Sequence, residues 1–170
     1  MIGATVAAVA LARGPVVESV RQRSAIISFR TTVPDRSFVI LRNGSRIGAG
    51  TGVDHVVRLN RLTPGAHYEY TVETDSGVVA QGRFRAAPAR AARFTFAVVG
   101  DFGSGTQDEL AVASLIESWH PDFVLTVGDN AYPQGSTDLL DRDVFGPYAG
   151  VMRASAWFPA LGNHDVRADD

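Results

Sequence analysis

The residues that could do chemistry in this 170-residue chain sit in three polar clusters, each closing a short apolar run. Phe94–Val99 runs into Gly100-Asp101-Phe102-Gly103, Phe123–Val127 into Gly128-Asp129-Asn130-Ala131-Tyr132, and Ala156–Leu161 into Gly162-Asn163-His164-Asp165. Asp101, Asp129, Tyr132 and Asn163 offer hard oxygen donors, and His164 adds one imidazole. Oxygen-rich sets suit hard cations, and a phenolate suits ferric iron. Two ions about 3.5–4 Å apart, bridged by a carboxylate, form the clamp used in phosphoryl displacement. Asp129, on the middle of the three strand ends, is the natural bridge. Gly100, Gly103 and Gly128 beside the aspartates let backbone approach a crowded centre closely. Any one cluster alone reads as ordinary turn chemistry; the three together read as a metal site.

Those clusters need a scaffold. Unalternating apolar runs bounded by glycine predict strands buried on both faces of a sheet. Ligands in such sheets gather beyond the carboxyl ends of the strands, where all three clusters fall. Between the first two runs, Thr106-Gln107-Asp108-Glu109 predicts a capping box at a helix start. Val112, Leu115, Ile116 and Trp119 recur at helical spacing, and Pro121 stops the helix. A second helix is expected over roughly 138–153. The order strand–helix–strand–helix–strand predicts a mostly parallel α/β sheet, with an open edge if only three strands form it. Trp119 and Trp157 read as packing residues.

Residues 14–87 have a different rhythm. Val16–Gln22, Ala25–Thr32, Phe38–Arg42, Val53–Leu59, Tyr68–Glu73 and Val78–Phe84 favour strands by their β-branched and aromatic content. Asn43-Gly44 predicts a tight hairpin, and Asp75-Ser76-Gly77 another turn. Strands at this spacing without helices predict a small antiparallel sandwich. Leu62-Thr63-Pro64-Gly65-Ala66-His67-Tyr68 resembles a tyrosine corner, so the segment looks like a fibronectin type III-like module. Tyr68 and Tyr70 read as structural in preference to a ligand-binding pair. His55 and His67 read as exposed residues without chemistry. Residues 88–93, within the run Ala86–Arg93, are expected to be a linker, with the α/β part over 94–170. Residues 1–13 read equally as the remnant of a secretory signal or as an edge strand.

Composition removes some classes. There is no cysteine, which excludes disulfides and thiolate chemistry. No apolar run reaches the length of a membrane span. Residues 1–93 carry 13 arginines against 6 carboxylates, a net +7, whereas residues 94–170 carry 3 against 12, a net −9. The arginines are scattered singly among strand residues, so nucleic acid is not an expected partner. The acidic half fits a cation site. Nothing points to an oligomeric state.

Gly-Asp-Phe-Gly, Gly-Asp-Asn-Ala-Tyr and Gly-Asn-His-Asp, in that order, resemble the metallophosphoesterase superfamily, and the purple acid phosphatases most. The superfamily usually places a histidine two residues after its first aspartate. Here that position is Gly103, while Tyr132 follows the second aspartate by three, the purple acid pattern. The resemblance implies that Asp101 and Tyr132 hold Fe(III), that Asp129 bridges, and that Asn163 binds a divalent Fe, Zn or Mn. It implies His164 as the catalytic and phosphate-contacting residue, with Asp165 orienting its ring. The nucleophile would be a metal-bound hydroxide, the pKa of water falling from ~15.7 toward ~7. A small phosphate-ester substrate and a secreted or periplasmic location are implied likewise. The family's three later histidines have no counterpart here, so the resemblance covers the accessory domain and the first half of the catalytic one. On that reading the chain is C-terminally truncated, and alone it should bind metal poorly and be inactive. The alternatives are a phosphodiesterase or nucleotidase on the same scaffold, or a non-catalytic surface-binding protein with a degenerate phosphatase half.

Overall fold

In the computed structural model, residues 9–167 are described. The expectations for residues 1–8 lie outside them. The N-terminal strands are β1 (Leu11–Glu18), β2 (Ser24–Leu41), β3 (Arg46–Asn60), β4 (His67–Thr74) and β5 (Gly77–Arg85), with burial alternating along β4, the first half of β2 and the end of β3. The sequence predicts Ala25–Thr32 and Phe38–Arg42 as separate strands, but the chain runs through both as the 18-residue β2. Pro34 pushes Val33 toward extended backbone, and the register breaks between Arg30 and Asp35. The first half of β2 pairs β1 and the second half pairs β4, while β3 follows both halves. A strand that changes sheets at a bend makes the corner of a sandwich. Val17, Ile27, Val39, Val57, Leu59 and Val72 fill the core between the layers.

Beyond Leu62, the Tyr68 hydroxyl accepts the Thr63 amide at 2.7 Å, and its ring stacks on Phe84. This is the tie expected of the corner. His55 differs from expectation: it is buried at 2% exposure, stacked on Phe29 with ring centroids 4.7 Å apart.

After Arg85 there is no regular structure until β6 (Phe96–Val99), which pairs in parallel with β7 (Phe123–Thr126). β7 pairs in parallel with β8 (Ala156–Phe158), and β8 meets β1 through Val17 and Ala156. The edge of the parallel strands expected to be open is therefore joined to the sandwich on the β8 side. β1 serves both halves because successive strand side chains face opposite ways. Val17 enters the sandwich core, and Val16 the core of the α/β half. A second tie lies at Arg153, whose carbonyl accepts the Arg83 amide at 3.1 Å and the Tyr70 hydroxyl at 3.0 Å. Burial pushes the ionisation of Tyr70 far above the usual phenol range.

Helix α1 (Gln107–Ser118) begins as predicted, with the Thr106 hydroxyl accepting the Glu109 amide at 3.3 Å. Its buried line shares only Ile116 with the predicted one. Glu109, Ala113 and Ile116 face inward, while Val112, Leu115 and Trp119 are about half exposed. Glu109 is drawn in by the amides of Ser104 and Gly105, which its Oε2 accepts at 2.9 and 2.6 Å. That anchor turns the helix by one position relative to its apolar stripe. The expected second helix is broken into α2 (Thr137–Leu140), a π-helical turn at Asp141–Phe145 and α3 (Ala149–Met152). Pro147 has no amide to continue an α-helical ladder, and the turn closes instead from the Gly146 amide to the Asp141 carbonyl.

The parallel strands are covered on one face only among the described residues. Ala97, Val124 and Trp157 are buried with Ile116 and Val151, whereas Phe94, Phe96, Val98 and Phe158 are largely exposed. Phe96 stacks on Phe123 at 5.3 Å, forming an aromatic ladder on the bare side. Burial on both faces, as the unalternating runs predict, is not met here. Tyr68→Phe should lower stability by about 1 kcal/mol in urea denaturation, the worth of one hydrogen bond; an unchanged midpoint would show that the corner does not hold the sandwich.

Candidate metal centre

Asp101 and Asp129 each follow a parallel strand closely, and each adopts a left-handed backbone, with φ of 53° and 48°. Such backbone is uncommon outside glycine and persists where its surroundings impose it. The loops carrying them are held together beyond the strand ends. The Asp101 amide donates to the Gly128 carbonyl, the Tyr132 amide donates to the Gly103 carbonyl, and Gly103 bridges Ala131. A β-carbon at Gly103 would overlap the Asn130 carbonyl oxygen. On this backbone no histidine fits where the metallophosphoesterase pattern usually has one.

This pairing brings three of the predicted residues together. The Tyr132 hydroxyl donates to Asp101 Oδ1 at 2.7 Å and lies 3.4 Å from Asp129 Oδ2. The phenol is held protonated, its pKa pushed up to about 12, first by the hydrogen bond to Asp101 and then by desolvation and both carboxylate charges. Asp129 also accepts the His164 amide through Oδ1 at 2.8 Å, so the third loop reaches the same cluster. Gly162 has no room for a side chain there, because a β-carbon would fall on Asp129. Asn163 makes no hydrogen bond to the cluster among the described residues. Its side chain is exposed and has no hydrogen bond among the described residues. Nor do any three His, Asp or Glu residues among them form a group that could hold a metal ion.

His164 lies over Tyr132 with ring centroids 4.5 Å apart. Its Nδ1 is 2.7 Å from the Pro133 carbonyl, which can only accept, so Nδ1 carries the proton and Nε2 is left for chemistry. The orienting group is thus Pro133, and the expected role of Asp165 needs correction. The Asp165 carboxylate instead takes the Asn130 and Ala131 amides on Oδ1, at 2.8 and 3.3 Å. On Oδ2 it takes the Asn130 side-chain amide and the Gly162 amide, at 2.7 and 2.8 Å. It clamps the second loop to the third. Asn130 donates again to the Ala160 carbonyl at 2.7 Å and is 7% exposed. Sequence reasoning passed over Asn130; a polar residue between two expected ligands was the available signal. Glu109, seen in the sequence as a cap, also braces the first loop through Ser104 and Gly105.

Two carboxylates and a phenol meet at the ends of parallel strands that follow an antiparallel sandwich. No protein-family model matches the chain. Over 84 residues, 44% of its length, the chain is 36% identical to purple acid phosphatase 3 of Arabidopsis thaliana, of which the match covers 23%. It is 32% identical over 84 residues to purple acid phosphatase 17 of the same plant, covering 44% of this chain and 25% of that one. The chain thus spans about a quarter of the length of the curated relatives it matches. The solved structure of PhoD superposes with a TM-score of 0.70 over 94% of this chain and 40% of its own, at 16% identity. That likeness is one of fold, and it takes in both halves of the chain.

Asp165→Asn should cost about 2–4 kcal/mol in urea denaturation, because the new amide group would face donors that now meet a charged acceptor. A loss under 0.5 kcal/mol would show that the clamp is not structural.

Proposed function

We propose that this chain carries part of a metal-dependent phosphatase site of the purple acid type, acting on small phosphate monoesters. The observation that carries it is the Tyr132 hydroxyl set between Asp101 and Asp129, at 2.7 and 3.4 Å. Likeness to purple acid phosphatases supports the reading. The donor chemistry fits as well: two carboxylates sharing one phenolic proton form an anionic oxygen set that a hard cation would neutralise, releasing that proton.

Asp101 and Tyr132 would hold a ferric ion, Asp129 would bridge, and Asn163 would turn inward toward a divalent Fe, Zn or Mn. When bound, such a pair supplies Lewis-acid charge to the phosphoryl group and to an attacking water. The chain's own part is to position and to move a proton. His164, fixed through Nδ1 by Pro133, presents Nε2 to a phosphate oxygen, and as the imidazolium, with both ring nitrogens protonated, it would donate there and protonate the leaving oxygen. Asp165 keeps the second and third loops in register. Glu109 does the same for the first, and burial holds its carboxyl above the usual range. We read the segment as the sandwich (residues 14–87), a linker (88–93) and the first half of a catalytic domain (94–170), in an exported protein.

Ferric nitrilotriacetate titrated into the chain should raise a visible tyrosinate band, weakly saturating because one imidazole is present, with proton release and without hydrolysis of p-nitrophenyl phosphate. Tyr132→Phe should abolish the band. A colourless protein at saturating iron, or an equal band in the variant, would leave the non-catalytic surface-binding reading. In a longer protein containing this segment, Asp129→Asn should lower kcat for p-nitrophenyl phosphate by at least ~10²-fold, the scale of removing one electrostatic contact in the transition state.

A further inference from the structure

Two carboxyl groups lie buried behind the first loop, and neither belongs to the candidate metal centre. Glu109 of α1 is 4% exposed and Asp143 of the π-helical turn 1%. Both flank Gly105. Glu109 Oε2 accepts the Gly105 amide at 2.6 Å, and a β-carbon on Gly105 would stand 2.9 Å from Asp143 Oδ1. Two carboxylates so placed do not both ionise readily unless each has a counterion.

Asp143 has one. Arg142 donates from Nε to Oδ1 and from Nη2 to Oδ2, each at 2.6 Å. Glu109 has no ion pair among the described residues. Its Oε2 also takes the Ser104 amide, at 2.9 Å, while its Oε1 is buried without a hydrogen-bond partner. No other charge faces it from the elements packed around it. Residues 102–106 of the loop carry none, and Asp108, the next acid along α1, is exposed. The Tyr148 ring packs edge-on against Phe102, its hydroxyl also buried without a partner. Burial, then the Glu109 charge, pushes that phenol up to about 12, so it stays neutral. A negative charge on Glu109 would thus meet two amides and no cation. A proton on Oε1 removes that charge and leaves Oε2 free to accept both amides.

We infer that Glu109 holds the first loop as the neutral acid in mildly acidic solution, with its proton on Oε1, and that its ionisation loosens the loop as pH rises. Burial, and more weakly the Asp143 charge, hold this carboxyl above its usual range against the pull of the loop amides. A carboxyl raised in this way contributes stability that is complete below its unfolded value and is lost as pH rises through its folded one. Glu109 is therefore a positioning residue whose grip is strongest in acid. Its bearing on Asp101, at the head of the same loop, rests on the metal-site reading; its protonation does not.

The test follows the Glu109 side-chain carboxyl carbon by NMR in the labelled, metal-free chain. It should ionise above the ordinary glutamate range, and the Ser104 and Gly105 amide signals should shift with the same midpoint. In Asp143→Asn that midpoint should fall. Glu109→Gln keeps an oxygen for the two amides and cannot ionise, so between about pH 4 and about pH 7 the urea midpoint of the unaltered chain should fall relative to this variant. Ionisation of Glu109 within or below the ordinary range, or an unaltered chain that holds or gains stability against Glu109→Gln as pH rises, would overturn the inference. The carbon titration uses the unaltered chain, so a variant that fails to fold cannot decide it. A colourless ferric titration would remove the metal site and leave the role of Glu109 standing.

Discussion

The Asp165 carboxylate is the interaction on which the arrangement of the site depends. Its oxygens accept four N–H groups from Asn130, Ala131 and Gly162. Loops beyond strand ends have no ladder of their own, and without such a partner their amides would compete for water. One carboxylate taking several donors in a partly buried place is stronger than neutral hydrogen bonds of the same number. With the second and third loops joined, the His164 amide reaches Asp129, and the left-handed turn at Asp129 is held against its intrinsic cost. The first loop joins through Gly103 and is braced from behind by Glu109. The cluster at Tyr132 follows from this framework.

The scaffold that sets the framework in place rests on β1. One strand sends Val17 into the sandwich and Val16 into the α/β half, so the two cores share a wall. The Arg153 carbonyl, bonded to Tyr70 and Arg83, fixes the far side. In the aromatic ladder Phe94 and Phe96 stay exposed beside the half-buried Phe123, the least satisfied feature of a parallel sheet, whose faces are ordinarily both covered.

What the sequence made legible was local. Apolar runs ending in glycine and aspartate placed the three loops, and Thr106 and Glu109 marked the start of α1. The spacing of Leu62 and Tyr68 anticipated a tie that the Tyr68 hydroxyl makes. What it hid was decided by contacts distant in sequence. The rotation of α1 depends on amides at 104 and 105 capturing Glu109, and a hydrophobic stripe carries no trace of that. Asp165 sits beside His164 in the chain, which suggested a side-chain pair, yet its partners lie up to 35 residues away. Asn163, placed by pattern among the ligands, is exposed, and it is the amide of its neighbour His164 that meets Asp129. The burial of His55 required knowing that β2 and β3 pass through both layers of the sandwich.

The central claim is that one phenol sits between two carboxylates, and titration of Tyr132 tests it most directly. Its folded pKa is raised from 10.0 to about 12, so its contribution to stability is fully present below pH 10 and is lost as pH rises through about 12. With the ring carbon that bears the hydroxyl labelled and followed by NMR, the phenol should ionise near pH 12, and in Asp101→Asn it should move back toward 10. Ionisation near 10 in both proteins would mean that the hydroxyl does not meet the aspartates, and the metal-site reading would lose its footing.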